Sequence, residues 1–115
     1  MKRVIAVLAL TAVIFLSTTG LAFASGYQVS SDGYFGCLSK DYYSKIARYA
    51  VQEDIQAFET ALLGGYATGE CIRLQADERV FVEETAVFSG LVKIRKPGDT
   101  LEFWAAIEAI KGVPE

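Results

Sequence analysis

The strongest pattern along the chain is a set of short runs in its second half where apolar and polar residues alternate. Arg79-Val80-Phe81-Val82-Glu83 puts Val80 and Val82 on one side of an extended segment, and Leu91-Val92-Lys93-Ile94-Arg95 does the same with Val92 and Ile94. Leu101-Glu102-Phe103-Trp104-Ala105 sets Leu101, Phe103 and Ala105 against Glu102, Trp104 and the following Ala106. Successive side chains on a strand point to opposite faces, so each run predicts a half-buried strand. Cys71-Ile72-Arg73-Leu74 supplies a further short strand. No helix-length segment separates these runs, which predicts antiparallel pairing. Lys96-Pro97-Gly98-Asp99 predicts a type II turn, with Pro at its second position and Gly at its third.

Upstream the period becomes helical. Ser39 is an N-cap residue, Asp41 lies in the first turn where a carboxylate suits the helix dipole, and Tyr42, Ile46 and Tyr49/Ala50 recur at helical spacing. A helix is predicted from about Lys40 to Val51. Asp54 can cap a second one, in which Ile55, Phe58, Ala61 and Leu62 share a face and which Gly64-Gly65 is expected to end. The two helices predict a hairpin laid against the sheet. Residues 25–36 show neither period and read as an extended lead-in, and Glu108 to Lys111 as one terminal helical turn.

The first residues bear on compartment. Lys2 and Arg3 precede an apolar run from Val4 to Leu16, and Ala22-Phe23-Ala24 offers the small residues that a signal peptidase accepts. Residues 1–24 are therefore expected to be a cleaved signal peptide, with an uncleaved anchor as the alternative, and the mature chain to begin at Ser25. A periplasmic or secreted location follows. Without Lys2 and Arg3 the chain has 9 basic against 14 acidic residues, a net charge of −5. That balance gives no electrostatic reason to bind nucleic acid or, after signal cleavage, an anionic membrane surface.

Two cysteines in an exported chain, Cys37 and Cys71, predict one disulfide. Closing that loop would stabilise so small a domain by roughly 3–4 kcal/mol in the chain-entropy model. The chain has no His and no Cys-x-x-Cys pair, so neither a metal centre nor a reactive thiol pair is expected, and no cofactor is implied.

The sequence from Val80-Phe81-Val82 through Gly90-Leu91-Val92-Lys93-Ile94-Arg95 and a Gly turn to Phe103-Trp104 and Ile107 to Ile110 resembles the bacterial Src-homology-three-like barrels of exported proteins. The resemblance covers residues 71–110. It implies a small antiparallel Src-homology-three-like β-barrel at 70–111, and with the helix hairpin read at 37–69 packed on it the expectation is a single α+β domain over residues 37–111. The resemblance also implies a binding module and not an enzyme. The loop that lines the family's ligand groove is short here, from about Gln75 to Glu78, and Phe103 stands before Trp104 where the family has Gly.

Catalytic residues are not expected. Glu83, Glu84, Glu102 and Glu108 could supply the paired carboxylates of a cell-wall hydrolase, but cross-strand ion pairing with Lys93 and Arg95 accounts for the first of them. The candidate ligand-binding residues are Phe81, Lys93, Arg95 and Trp104, which alternation places on the face opposite Val80, Val82, Val92 and Ile94. If exposed, they would suit a protein segment or a cell-wall peptide. If the helices cover Phe81 and Trp104, they are core. A secreted or periplasmic inhibitor or immunity-type protein is the alternative within the binding class.

Overall fold

The computed structural model describes residues 26–113, so the expected leader lies outside the described residues. The order of elements is β1 (Tyr27–Val29), β2 (Phe35–Cys37), α1 (Lys40–Val51), α2 (Ile55–Thr68), β3 (Cys71–Arg73), β4 (Arg79–Ala86), β5 (Leu91–Arg95), β6 (Glu102–Ala106) and β7 (Ile110–Gly112). Short 3-10 turns at Val87–Ser89 and Ile107–Ala109 link β4 to β5 and β6 to β7. The strands form one seven-stranded sheet in the order β3-β2-β6-β5-β4-β1-β7, with every neighbouring pair antiparallel. β3 and β7 remain edges. The expected closed barrel is therefore corrected to an open sheet in an α+β fold.

Helix termini follow the local chemistry. The Ser39 hydroxyl accepts a hydrogen bond from the Tyr42 backbone N–H at 3.1 Å, and the Asp54 carboxylate accepts one from Ala57 at 3.1 Å, each satisfying a donor that helix geometry orphans. Gly64-Gly65 does not end α2. The helix continues to Thr68 and stops at Gly69, whose left-handed φ of 83° lets its N–H reach back to the Tyr66 carbonyl. Gly65 serves packing instead: a Cβ there would lie 2.6 Å from the Cys71 Sγ. In the turn after β5, Gly98 has φ 83° and Asp99 donates its N–H to the Lys96 carbonyl at 3.1 Å, as the sequence predicts.

Both faces of the sheet bury apolar side chains. Val29, Leu74, Val80, Val92, Ile94, Phe103, Ala105 and Ala109 form one cluster, drawn from both halves of the sheet as it curls toward itself. Cys37, Cys71, Leu91 and Trp104 lie on the other face and pack with Tyr43 and Ile46 of α1, while Phe58, Ala61, Leu62 and Tyr66 of α2 flank them. The disulfide joins Cys37 to Cys71, which are directly opposed in the β2–β3 pairing and almost fully buried. Next to it, the Glu70 carbonyl accepts from Leu38 at 2.7 Å and the Glu70 carboxylate from Ser39 at 2.8 Å, so the start of α1 and the start of β3 are tied together.

The lead-in is more structured than its composition suggests. It contributes β1 and β2, and Phe35 stacks on Tyr43 at 4.9 Å between ring centroids. The expected terminal helical turn is a 3-10 turn one residue earlier, and the chain then pairs with β1 as β7.

Candidate functional site

The four residues singled out from sequence come together on the outer face of β4, β5 and β6, through the registers Phe81↔Arg95 and Lys93↔Trp104. Their environments differ. Trp104 is 7% exposed, sits opposite Cys37 and belongs to the cluster under α1. The ammonium groups of Lys40 and Lys93 lie 5.0 and 5.1 Å from its ring centroid. Cation–π attraction holds those charges over the indole, and little of the ring is left for a ligand. Phe81 is 49% exposed, with the Arg95 guanidinium 4.9 Å from its ring centroid.

The two cations are already partnered within the chain. Lys93 lies 3.3 Å from Glu84 and 3.6 Å from Glu102, and Arg95 lies 2.8 Å from Glu83 while donating to the Asp99 carbonyl at 3.1 Å. The hydrogen bond to Glu84 raises the Lys93 pKa above the ordinary lysine value, with Glu102 adding to the effect. A β-bulge between Val82 and Glu84 is what allows two consecutive glutamates to meet cations on the same face. An acidic ligand would have to displace these internal carboxylates. Of the four carboxylates weighed for hydrolysis, three are thus committed to ion pairs. Among the described residues no group of His, Cys, Asp and Glu could hold a metal ion.

A second feature escaped the sequence reading. Val87 and Phe88 stand at the tip of the β4–β5 hairpin, Val87 70% exposed and Phe88 fully so. The tip is braced. Ser89 donates its hydroxyl to the Ala86 carbonyl at 3.1 Å, Gly90 donates its N–H to Val87 at 3.1 Å, and Ile107 donates its N–H to Gly90 at 2.9 Å. A rigid turn presenting adjacent bare apolar side chains is the kind of exposed surface that marks an interaction site. The dipeptide Val87-Phe88 before Ser89-Gly90 is the only signal for it in the sequence, and alternation absorbs such residues into a strand.

Beside the tip lies an open seam. β1 pairs with β4 only at Tyr27↔Val80 and Gln28↔Arg79, whereas β4 continues to Ala86. From Val82 onward the strand has β5 on one side and, among the described residues, no strand on the other. A cavity of about 330 Å³ lies there, walled by Val82, Thr85, Val92, Ile107 and Ile110, with Tyr27, Lys111 and Gly112 completing its lining. A larger groove of about 850 Å³ separates α2 from β3, where Arg73 lies 4.4 Å from the centroid of the Tyr66 ring. Burial raises the Tyr66 pKa, against the opposing influence of Arg73.

Comparison with known proteins gave no match: no family model, no curated sequence and no solved structure matches this chain.

Proposed function

We propose that this chain is a non-catalytic binding protein of the periplasm or extracellular space that engages a partner protein through the apolar tip of its β4–β5 hairpin. The observation that carries the reading is the full exposure of Phe88 on a turn braced by its own hydrogen bonds. Exposed aromatic anchors on a preorganised loop lose little conformational freedom on docking, and interface hot spots are enriched in such anchors. The disulfide suits an oxidising compartment. Among the described residues no helix is long and apolar enough to cross a membrane.

The stripe of Phe81, Lys93, Arg95 and Trp104 plays a structural part in this reading, because its cations are neutralised within the chain and its indole is covered. A convex, rigid tip also favours the inhibitor reading, in which Phe88 enters a concave cleft of an enzyme.

The test places a photoreactive phenylalanine analogue at position 88 in the exported protein in its native host, with the same analogue at exposed Glu53 as the control. One partner should be cross-linked from position 88 and not from position 53. The purified partner should then bind Phe88→Ala at least about tenfold more weakly than wild type, a loss of about 1.4 kcal/mol, above the roughly 1 kcal/mol that most interface residues fail to reach. Equal labelling from both positions would sink the proposal. Suppression of an enzymatic activity of that partner would select the inhibitor reading.

A further inference from the structure

We infer that the open seam along β4 accepts one extended segment of the partner protein as an added strand, a segment with apolar side chains at alternate positions and basic ones between them. This rests on the binding reading above and specifies how, and by what chemistry, the partner is held.

The backbone supplies the first reason. Strand addition needs an edge that no other strand occupies, and among the described residues β4 from Val82 to Ala86 is such an edge in the middle of the sheet order, not at its end. The cavity supplies the second. Its volume of about 330 Å³ lies at the low end for ligand pockets, and its walls are mainly aliphatic, so it suits side chains from one face of a strand better than a whole small molecule.

Charge supplies the third. The inner rim of the seam is formed by Val82 and Thr85, while the bulge turns both Glu83 and Glu84 to the outer face. On that face the ion pairs set three carboxylates, Glu83, Glu84 and Glu102, against two cations, Lys93 and Arg95, while Lys111, which also lines the cavity, lies 4.0 Å from Asp77. Exposed Glu108 stands beyond Ile107 on the other wall. A strand laid in the seam would place alternate side chains in the apolar slot and the rest beside these carboxylates, where Lys or Arg is favoured.

A second copy of this chain fits poorly. Two β4 edges paired about a twofold axis would set Glu83 and Glu84 against their own counterparts, and bulged, charged edges are a means by which sheets avoid self-pairing. A partner with the complementary sign satisfies both the edge and the charge.

The experiment pans a displayed library of short random peptides against the oxidised mature protein, then measures amide hydrogen exchange with and without the synthetic form of the strongest binder. The selected peptides should alternate apolar and other residues, with Lys or Arg among the latter. Saturation should slow exchange across residues 82–86 by at least about tenfold and leave α1 unchanged. Thr85→Arg, at an exposed position on the rim of the slot, should weaken the peptide by at least about tenfold while the domain keeps a cooperative melt. Peptides without alternation, protection elsewhere, or undiminished binding by Thr85→Arg would each overturn the inference. It would also fall if the same amides are protected in the full chain without peptide and lose that protection in a chain beginning at Ser25, which would assign the seam to the chain's own leader. Concentration-dependent protection without peptide would assign it to a second copy. A partner cross-linked at position 88 that leaves residues 82–86 unprotected refutes strand addition and leaves the binding reading intact.

Discussion

Gly65→Ala should destabilise the domain by about 2 kcal/mol, whereas the same change at the adjacent Gly64 should stabilise it by roughly 0.5–1 kcal/mol. Both glycines lie inside α2, where alanine is the better helix former by about 1 kcal/mol. The surroundings separate them. A Cβ at Gly64 would meet only the Tyr42 hydroxyl, at an ordinary 3.8 Å. At Gly65 it would lie 2.6 Å from the Cys71 Sγ, 3.0 Å from the Cys71 Cβ and 3.3 Å from Tyr42 Cε1. Favourable contacts between carbon atoms begin near about 3.5 Å, so the first of these is deep in the repulsive wall.

Neither neighbour can give way cheaply. Cys71 is held by the disulfide and by pairing with Cys37, and Tyr42 is pinned by the hydrogen bond its hydroxyl donates to the Ala61 carbonyl at 2.7 Å. Overpacking of this kind costs about 1–3 kcal/mol, and the upper end applies at so rigid a site; subtracting the helix gain leaves about 2 kcal/mol. For a domain of this size that corresponds to a drop in melting temperature of roughly 8–16 °C. Urea unfolding of the oxidised protein measures it directly. In a Cys37→Ala/Cys71→Ala background the Sγ is gone and the nearest contact relaxes to the 3.0 Å Cβ contact, so Gly65→Ala should cost at least about 1 kcal/mol less there. If Gly65→Ala stabilises the oxidised protein as Gly64→Ala does, α2 does not rest on the disulfide as described.

Removing the bridge by Cys37→Ala/Cys71→Ala, which frees a sequence separation of 34 residues, should lower stability by about 3–4 kcal/mol, read from urea unfolding with each form's own slope, since the uncrosslinked unfolded chain exposes more surface. A change below about 1 kcal/mol would contradict the entropic reading. Stability should also fall above about pH 10, with a limiting slope near 1.4 kcal/mol per pH unit for each tyrosine concerned. Burial pushes the Tyr43 phenol above its ordinary value, and the backbone at Ala106 only partly opposes this. Below the unfolded value both states hold the proton and the stability is fully present; above it the unfolded chain ionises first, and the loss continues until the pH passes the folded value. Tyr43→Phe should flatten that decline in pH-dependent urea melts. Lys93, raised by Glu84, contributes in the same alkaline direction, but added salt should erase its share and leave that of Tyr43. An unchanged alkaline slope in Tyr43→Phe would refute the assignment.

Local chemistry determined much of this protein from sequence alone. The caps Ser39 and Asp54, the Pro97-Gly98 turn, the strand Leu91–Arg95 and the assignment of Val92, Ile94 and Phe103 to one face and Trp104 to the other are all visible as spacing. Each depends on backbone geometry within a few residues. The pairing of the two cysteines follows from their number. Tertiary structure decided the rest. β1 and β2 have three residues each, too few to display a period, and they exist because β4, β6, β7 and β3 offer them edges. Gly65 reads as a helix stop until the disulfide shows why α2 needs a residue without a Cβ there. Alternation placed Trp104 beside Lys93 and foresaw an ion pair for Glu83, but only the position of α1 made the indole core, and the bulge near Val82 and Glu84 brought Glu84 to Lys93 beside the Glu83–Arg95 pair. Val87 and Phe88 look like strand residues in sequence; among the described residues the tertiary fold leaves them exposed, at the tip of a hairpin whose strand β4 outruns β1.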